Sequence, residues 1–372
     1  MDKLKLREKL QEAIDQFSFP GQLIEIEINK QGHINDTYVL SFSKDDQVQR
    51  YIFQRVNKGV FQQPEALMEN IVGVTKHLRK KIEEIQGDPH RQVLQVLPTK
   101  DQTAYYIDSK GDFWRSYNFI EDSLSLDQAQ SPEDLFQTGL AFGNFQRQLA
   151  DYPVKNLHQS IADFHNTEKR LENFLRAMKE DPLKRRDQIL DEADFILKRA
   201  DFCKTFMDLE RKKAVPLRVT HNDTKLNNIL LDKTTRKALC IVDLDTIMPG
   251  LAMNDFGDAI RSGASKALED EVDLDKVALD LDLYEHFTRG FLQGTGKSLE
   301  DLEIYHLRTG AKMMTLENGI RFLTDYLEGD SYFKIAYADH NLDRGRNQLK
   351  LVADMENKWQ QMLEIVNRYK EK

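Results

Sequence analysis

The sequence predicts an α+β protein of two lobes, an antiparallel β-rich first part with one inserted helix and a mainly helical second part. Three observations predict it. Between residues 22 and 56 the apolar residues recur with a period of two. After Glu121-Asp122-Ser123 the period lengthens to that of helices. The chain has 372 residues, enough for two domains or one large bilobal one.

The elements follow in order. Leu4, Leu6, Leu10, Ile14 and Phe17 are spaced as on an amphipathic helix over residues 3–17. Leu23-Ile24-Glu25-Ile26-Glu27-Ile28, Thr37 to Phe42 and Tyr51 to Val56 read as three antiparallel strands joined by polar turns. Pro64 stands where proline is favoured, at the start of a helix running to about residue 85. Further strands are expected at 93–96, 103–107 and 113–120. Helices are expected near 132–151, 161–178, 184–211, 255–268, 273–294, 298–327 and 339–369, interrupted by short strands around residues 220–246.

Composition narrows the function. The chain is 40% hydrophobic and 31% charged with a net charge of −9, which argues against a dedicated nucleic-acid binder. A phosphate site needs only a few local cations and N–H groups, so nucleotide binding stays open. Cys203 and Cys240, the only two cysteines, read as reduced thiols in or near the core rather than a disulfide or metal pair. No apolar run approaches the roughly 18 residues of a membrane span, and no apolar segment follows the charged start, so a cytoplasmic protein is expected.

Residues 220–246 carry the chemistry. His221, Asp223 and Asn228 stand in an H-x-D-x-x-x-x-N frame, and the apolar strand Leu239-Cys240-Ile241-Val242 then ends at Asp243, with Asp245 two residues on. This is the order found in phosphotransferases of kinase-like fold. Phosphoryl transfer passes through a loose transition state, so the protein supplies position and charge neutralisation. Asp223 is the candidate to orient the acceptor hydroxyl and take its proton. Asn228 and Asp243 are the candidates for Mg²⁺, and Asp245 for a second Mg²⁺. His221 is expected to brace the loop. Asp255 and Asp258 are expected to brace it from the next helix, Asp being suited to a helix start.

The chain resembles the aminoglycoside phosphotransferase and choline kinase superfamily, and within it is similar to the N-acetylhexosamine 1-kinases. The resemblance rests on Gly32-His33-Ile34-Asn35-Asp36-Thr37-Tyr38, Gln54-Arg55-Val56-Asn57, Leu67-Met68-Glu69-Asn70, His221-Asn222-Asp223-Thr224-Lys225-Leu226-Asn227-Asn228, Val242 to Gly250, Asp255-Phe256-Gly257-Asp258 and Arg321 to Leu327. It implies a bilobal protein-kinase-like fold and ATP with Mg²⁺ as cofactors. It implies a nucleotide lobe at 1–116, a hinge at 117–123 and a helical lobe at 124–372 carrying the catalytic loop and acceptor site. No G-x-G-x-x-G loop is present, and the resemblance puts Gly32, His33, Asn35 and Thr37 in the turn over the phosphates, with an ordinary hairpin turn as the alternative. Arg55 stands where kinases place a phosphate-binding lysine. Its acidic partner is expected to be Glu69, or failing that Glu65, one helical turn away. Tyr117, Phe119 and Ile120 fall at the adenine-binding hinge, where core packing is an equal alternative.

On the acceptor side the resemblance assigns Arg321, Asp325 and Tyr332 to the sugar. Arg321 and Asp325 are spaced i,i+4, so an intrahelical ion pair is the competing reading. The expected reaction is ATP-dependent phosphorylation of the C1 hydroxyl of N-acetylglucosamine or N-acetylgalactosamine. Choline, homoserine, methylthioribose or an aminoglycoside are the alternative acceptors. A catalytically silent nucleotide-binding regulator is the alternative from another class, against which the set Asp223, Asn228 and Asp243 argues. No nucleic-acid, membrane or obligate protein partner is implied.

Overall fold

The computed structural model describes residues 3–29 and 34–370. The first part contains α1 (Lys3–Ile14), β1 (Gln22–Asn29), β2 (Asp36–Lys44), β3 (Gln47–Val56), α2 (Pro64–Glu84), β4 (Tyr106–Ile107) and β5 (Phe113–Asn118). The strands form one antiparallel sheet in the order β1-β2-β3-β5-β4. Period-two alternation gives this sheet two apolar faces. On one, Tyr38, Leu40, Phe53 and Trp114 meet Leu6, Leu10 and Ile14 of α1. On the other, Phe113 and Tyr117 pack with Ile71, Val74 and Leu78 of α2.

That second cluster also takes in Val219, Cys240, Leu244 and Ile247, so the two lobes share one core beneath the cleft. Asn70, buried in α2, donates to the carbonyls of His158 and Ile247 and accepts from the His158 N–H, pinning α2 to the lower lobe. Pro64 occupies the first turn of α2.

The second part runs β6 (Ser123–Leu124), α3 (Pro132–Gln148), α4 (Thr167–Glu180), α5 (Leu190–Leu197), α6 (Ala200–Cys203), α7 (Thr205–Arg211), β7 (Arg218–Thr220), β8 (Ile229–Asp232), β9 (Ala238–Ile241) and β10 (Met248–Gly250). It closes with α8 (Ala252–Gly263), α9 (Leu281–Thr295), α10 (Asp301–Tyr305), α11 (Leu307–Glu328), α12 (His340–Asn357) and α13 (Trp359–Tyr369). β6-β8-β9 and β7-β10 are small antiparallel sheets that frame the catalytic segment. The largely buried α11 runs through the lobe against α4, α8 and α12. Glycines let the helices approach closely. A Cβ at Gly257 of α8 would stand 2.2 Å from the carbonyl oxygen of Gly310 in α11, closer than two atoms can pack.

Several expected elements are shorter or broken. Residues 93–96 form no strand, only a single bridge from Val96 to Tyr117, and the 103–107 strand reduces to Tyr106–Ile107. The segment 184–211 is three short helices that pack in different directions: α5 against α12, α6 against α11, and α7 through Phe206 into the main cluster of the lower lobe. The helix expected from 273 begins at Leu281, where the Asp280 carboxylate caps the N–H groups of Asp282 and Leu283. The long spans 298–327 and 339–369 break at His306 and Lys358. Lys358 turns its ammonium onto the Leu279 carbonyl and the Asp354 carboxylate.

Candidate active site

The loop between β7 and β8 holds Asp223 on a frame of buried polar contacts. Asp255, near the start of α8, accepts the N–H of His221 at 2.9 Å, of Asn222 at 2.7 Å, and Gln146 Nε2 at 2.9 Å. Asp258, one turn on, accepts the N–H of Thr224 at 2.8 Å and is paired with the buried Arg261. The expectation that these two carboxylates brace the loop is therefore met by geometry. The His221 ring donates from Nε2 to the Val242 carbonyl at 2.9 Å and accepts the Asp223 N–H at Nδ1, at 3.3 Å. It braces the loop and ties it to the strand that ends at Asp243.

Asp223 points one oxygen to Lys225 Nζ at 2.8 Å and the other to Asn228 Nδ2 at 3.1 Å. Burial pushes its carboxyl upward, but the Lys225 ammonium and the Asn228 amide hold it below the usual carboxylate range. Asp223 is thus ionised at neutral pH. Asn228 spends Nδ2 on Asp223, which leaves its amide oxygen as the atom that can face a cation.

Asp243 has a left-handed backbone, φ 57° and ψ 60°, uncommon outside glycine and a source of strain of about 1–3 kcal/mol. Its carboxylate opens towards the cleft and has no protein partner among the described residues. Surrounding protein removes much of its hydration, the charges of Asp245 and Asp223 add to this, and its carboxyl is pushed up to about 7. A cation would relieve that repulsion. Among the described residues no three His, Cys, Asp or Glu side chains cluster tightly enough to hold a metal by themselves. This suits Mg²⁺, which binds through one or two carboxylates, water and substrate phosphates rather than a protein cage. Asp243 and the Asn228 amide oxygen fit that role.

Asp245 does not join them as a free ligand. It is buried, and both its oxygens face Arg115 Nη2, at 2.6 and 2.8 Å; Asn35 Nδ2 adds a bond of 2.6 Å. Arg115 comes from β5, opposite Gln54 of β3, whose Oε1 it reaches at 3.0 Å; Gln54 Nε2 in turn donates to Thr37 Oγ1 at 3.0 Å. This chain of Thr37, Gln54, Arg115 and Asp245 lines the cleft face of the sheet and crosses between the lobes.

Arg55 stands on the opposite face. It shares the side of β3 with Phe53, above α1, and pairs with Asp36 and Asp112. Glu69 is exposed and bonded to His158, and Glu65 is exposed too, so the expected Arg55–Glu69 pair does not form. The reason is register: period two sends Gln54 and Arg55 to opposite faces, and only Gln54 faces the cleft. The cleft cation is Arg115, which sequence reasoning missed. Its signal was a lone charge within the apolar run Phe113-Trp114-Arg115-Ser116-Tyr117.

The remaining nucleotide-side residues divide. Gly32 and His33 lie outside the described residues. Asn35 is committed at both ends, accepting the Asn57 N–H at 2.9 Å while donating to Asp245. Tyr117 and Ile120 are buried in the shared core, and burial raises the Tyr117 hydroxyl well above its ordinary range. Phe119 lies under the Arg50 guanidinium, 4.0 Å from ring centre, and its N–H is bonded to the Arg50 carbonyl.

On the acceptor side Arg321 and Tyr332 are brought together, 3.5 Å from guanidinium to hydroxyl, beside a cavity of about 140 Å³ that Arg170, Asp325 and Phe333 also line. Asp325 neither pairs with Arg321 nor opens to a ligand. Its oxygens accept the N–H groups of Ser331, Tyr332 and Phe333 and the Asn341 amide, folding the loop after α11 back over the cavity. Burial, and next the charge of Arg321, hold the Arg170 guanidinium below its usual range. Neither arginine has an ion pair with a carboxylate among the described residues. His165 lies within the field of Arg321 and bonds the Asn222 carbonyl.

Comparison with known proteins places the chain. Residues 25–292 match the family model described as the phosphotransferase enzyme family. Among solved structures, a spectinomycin phosphotransferase bound to ADP and spectinomycin is 12% identical, with a TM-score of 0.58 over 97% of this chain and 99% of that one. A choline kinase from Cryptosporidium parvum Iowa II is 14% identical, with a TM-score of 0.58 over 100% of both chains. An ethanolamine kinase from Plasmodium vivax is 14% identical, with a TM-score of 0.54 over 92% of this chain and 94% of that one. At these identities the likeness concerns the fold, which is kinase-like: an antiparallel upper sheet over a mainly helical lower part. Among the described residues no helix is long and apolar enough to cross a membrane.

Proposed function

The chain belongs to the phosphotransferase enzyme family, and on that premise we propose that it transfers the γ-phosphoryl group of ATP to the C1 hydroxyl of an N-acetylhexosamine. Asp223, ionised and held by Lys225 and Asn228, accepts the hydroxyl proton as the sugar C1 oxygen bonds to phosphorus and the bond from phosphorus to the ADP oxygen breaks. Mg²⁺ held by Asp243 and Asn228 would neutralise charge on the phosphates. Arg115 balances Asp245 and so keeps the cleft wall from adding a further negative charge where the nucleotide approaches.

The observation that carries the acceptor assignment is the Arg321–Tyr332 pair in the cavity lined from α4 and α11, with Arg321 in no ion pair with a carboxylate among the described residues. A guanidinium donates to hydroxyl and acetamido oxygens, and an aromatic hydroxyl beside it suits a sugar ring. The nearby Arg170 adds like charge, which disfavours cationic acceptors such as choline or an aminoglycoside. Acceptor-dependent ADP release tests this with N-acetylglucosamine, N-acetylgalactosamine, glucose, choline, homoserine, methylthioribose and kanamycin. Turnover only with the acetylated sugars is the expected result. Turnover with choline or kanamycin and none with the sugars overturns the acceptor while keeping the transfer chemistry.

A further inference from the structure

The geometry points to His165 as a positioning residue: a buried imidazolium, charged by Glu317, that clamps the peptide bond preceding Asp223. The inference rests on the reading of Asp223 as the base. His165 Nδ1 lies 2.9 Å from Glu317 Oε1, and Nε2 lies 3.2 Å from the Asn222 carbonyl oxygen. A carboxylate and a carbonyl can only accept, so both ring nitrogens carry protons. The second Glu317 oxygen accepts the Thr167 hydroxyl at 2.6 Å, and the Glu317 side chain is 0% exposed. Burial works against both charges, yet their mutual attraction wins: His165 is held above, and Glu317 below, its ordinary range.

The clamp has a second jaw. The Asn222 carbonyl and the Asp223 N–H belong to one peptide plane. His165 donates to its oxygen, and the bare Nδ1 of His221 accepts from its nitrogen at 3.3 Å. Two imidazoles in opposite protonation states thus fix the plane from which Asp223 departs. Asn222 needs such holding, because its backbone is left-handed, at φ 63°. Further grips are Asp255 on its N–H and, on its side-chain amide, the carbonyls of Thr246 at 2.8 Å and Thr220 at 3.4 Å. The charged groups around the clamp come from three helices: Glu317 and Arg321 from α11, Asp255 and Asp258 from α8, and Arg170 from α4. Glu317 and Arg321 are one turn apart on α11, so the helix that lines the acceptor cavity also sets the base.

Two measurements on the full chain test this. The first is ¹⁵N NMR of histidine-labelled protein near neutral pH, with His165 assigned by the signal lost in His165→Gln. Both His165 nitrogens protonated is the expected result. A bare Nδ1 facing a protonated Glu317 overturns the imidazolium, whatever the substrate proves to be. The second is steady-state kinetics with whichever acceptor turns over. His165→Gln keeps a donor for the Asn222 carbonyl, while Glu317→Gln and the volume-conserving double variant H165Q/E317Q remove the charge without leaving a buried one unpaired. In Glu317→Gln and the double variant, kcat is expected to fall roughly ten- to a hundredfold as Asp223 loses alignment, with both KM values within about twofold of the parent. The alkaline limb of kcat in Glu317→Gln should also move to lower pH, because the carboxylate no longer raises His165. Folded variants with unchanged kcat and pH profile overturn the positioning role.

Discussion

In the catalytic loop each backbone N–H from His221 to Thr224 has a partner, with Asp255 taking two, His221 Nδ1 one and Asp258 one. In the cavity between α4 and α11, Arg321 reaches Asn318 and Tyr332 only at 3.4 and 3.5 Å, and Tyr332 is 64% exposed. The difference separates two tasks. Proton acceptance needs one fixed oxygen, so the loop invests buried carboxylates and left-handed backbone at Asn222 and Asp243 to hold it. On the proposed reading, acceptor recognition needs donors that settle only when the ligand arrives, which suits the loosely held guanidinium of the cavity. Substitutions in the loop should therefore act on kcat and on folding, and those in the cavity on KM.

The largest effect that can break this contrast is at the base. Asp223→Asn should lower kcat by about 10²–10⁴-fold while circular dichroism stays unchanged. A smaller loss would put the base elsewhere. Next comes Arg115→Met, which strands Asp245 as a buried, uncompensated charge at a cost of about 3–5 kcal/mol, read by urea denaturation. In the cavity, Arg321→Ala should raise the acceptor KM by about tenfold with a lesser change in kcat. A fall in kcat alone would erase the distinction between the regions. Mg²⁺ affinity sharpens it through pH. Asp243 has a raised carboxyl, near 7, so it is charged only above that value and binds a cation less well as pH falls through it. Calorimetric titration with Mg²⁺ should show binding about tenfold weaker at about pH 6 than well above 7, where the carboxylate is fully ionised. The smallest effect is expected at Arg55, whose exposed pairs with Asp36 and Asp112 face α1. Arg55→Met should cost about 0–1 kcal/mol and leave the KM for ATP unchanged.

The pair Arg115 and Arg55 also marks what the sequence can convey. The loop was legible because His221, Asp223, Asn228 and Asp243 lie within one short segment whose order along the chain is its order in the site. The nucleotide wall is different: it exists only once β3 and β5 are in register, placing Gln54 against Arg115 and sending Arg55 to the far face. A period of two says that neighbours part, but not which of them meets the cleft. The same limit hid His165 and Glu317, 152 positions apart and joined only by the packing of α11 beside the catalytic loop. The commitment of Asp325 to the backbone has a local reason, since the turn after Gly329 brings three N–H groups onto its carboxylate. The α+β division survived because it depends on period alone. The breaks at His306 and Lys358 did not show, because helical periodicity continues across a single interrupted turn.

The most direct test of the account is ³¹P NMR of the product formed from ATP, Mg²⁺ and N-acetylglucosamine, run beside Asp223→Asn. The account predicts a phosphomonoester signal coupled to the anomeric proton, present with the parent protein and absent with the variant. A phosphate coupled to any other sugar position, or the same signal from Asp223→Asn at an undiminished rate, would contradict it.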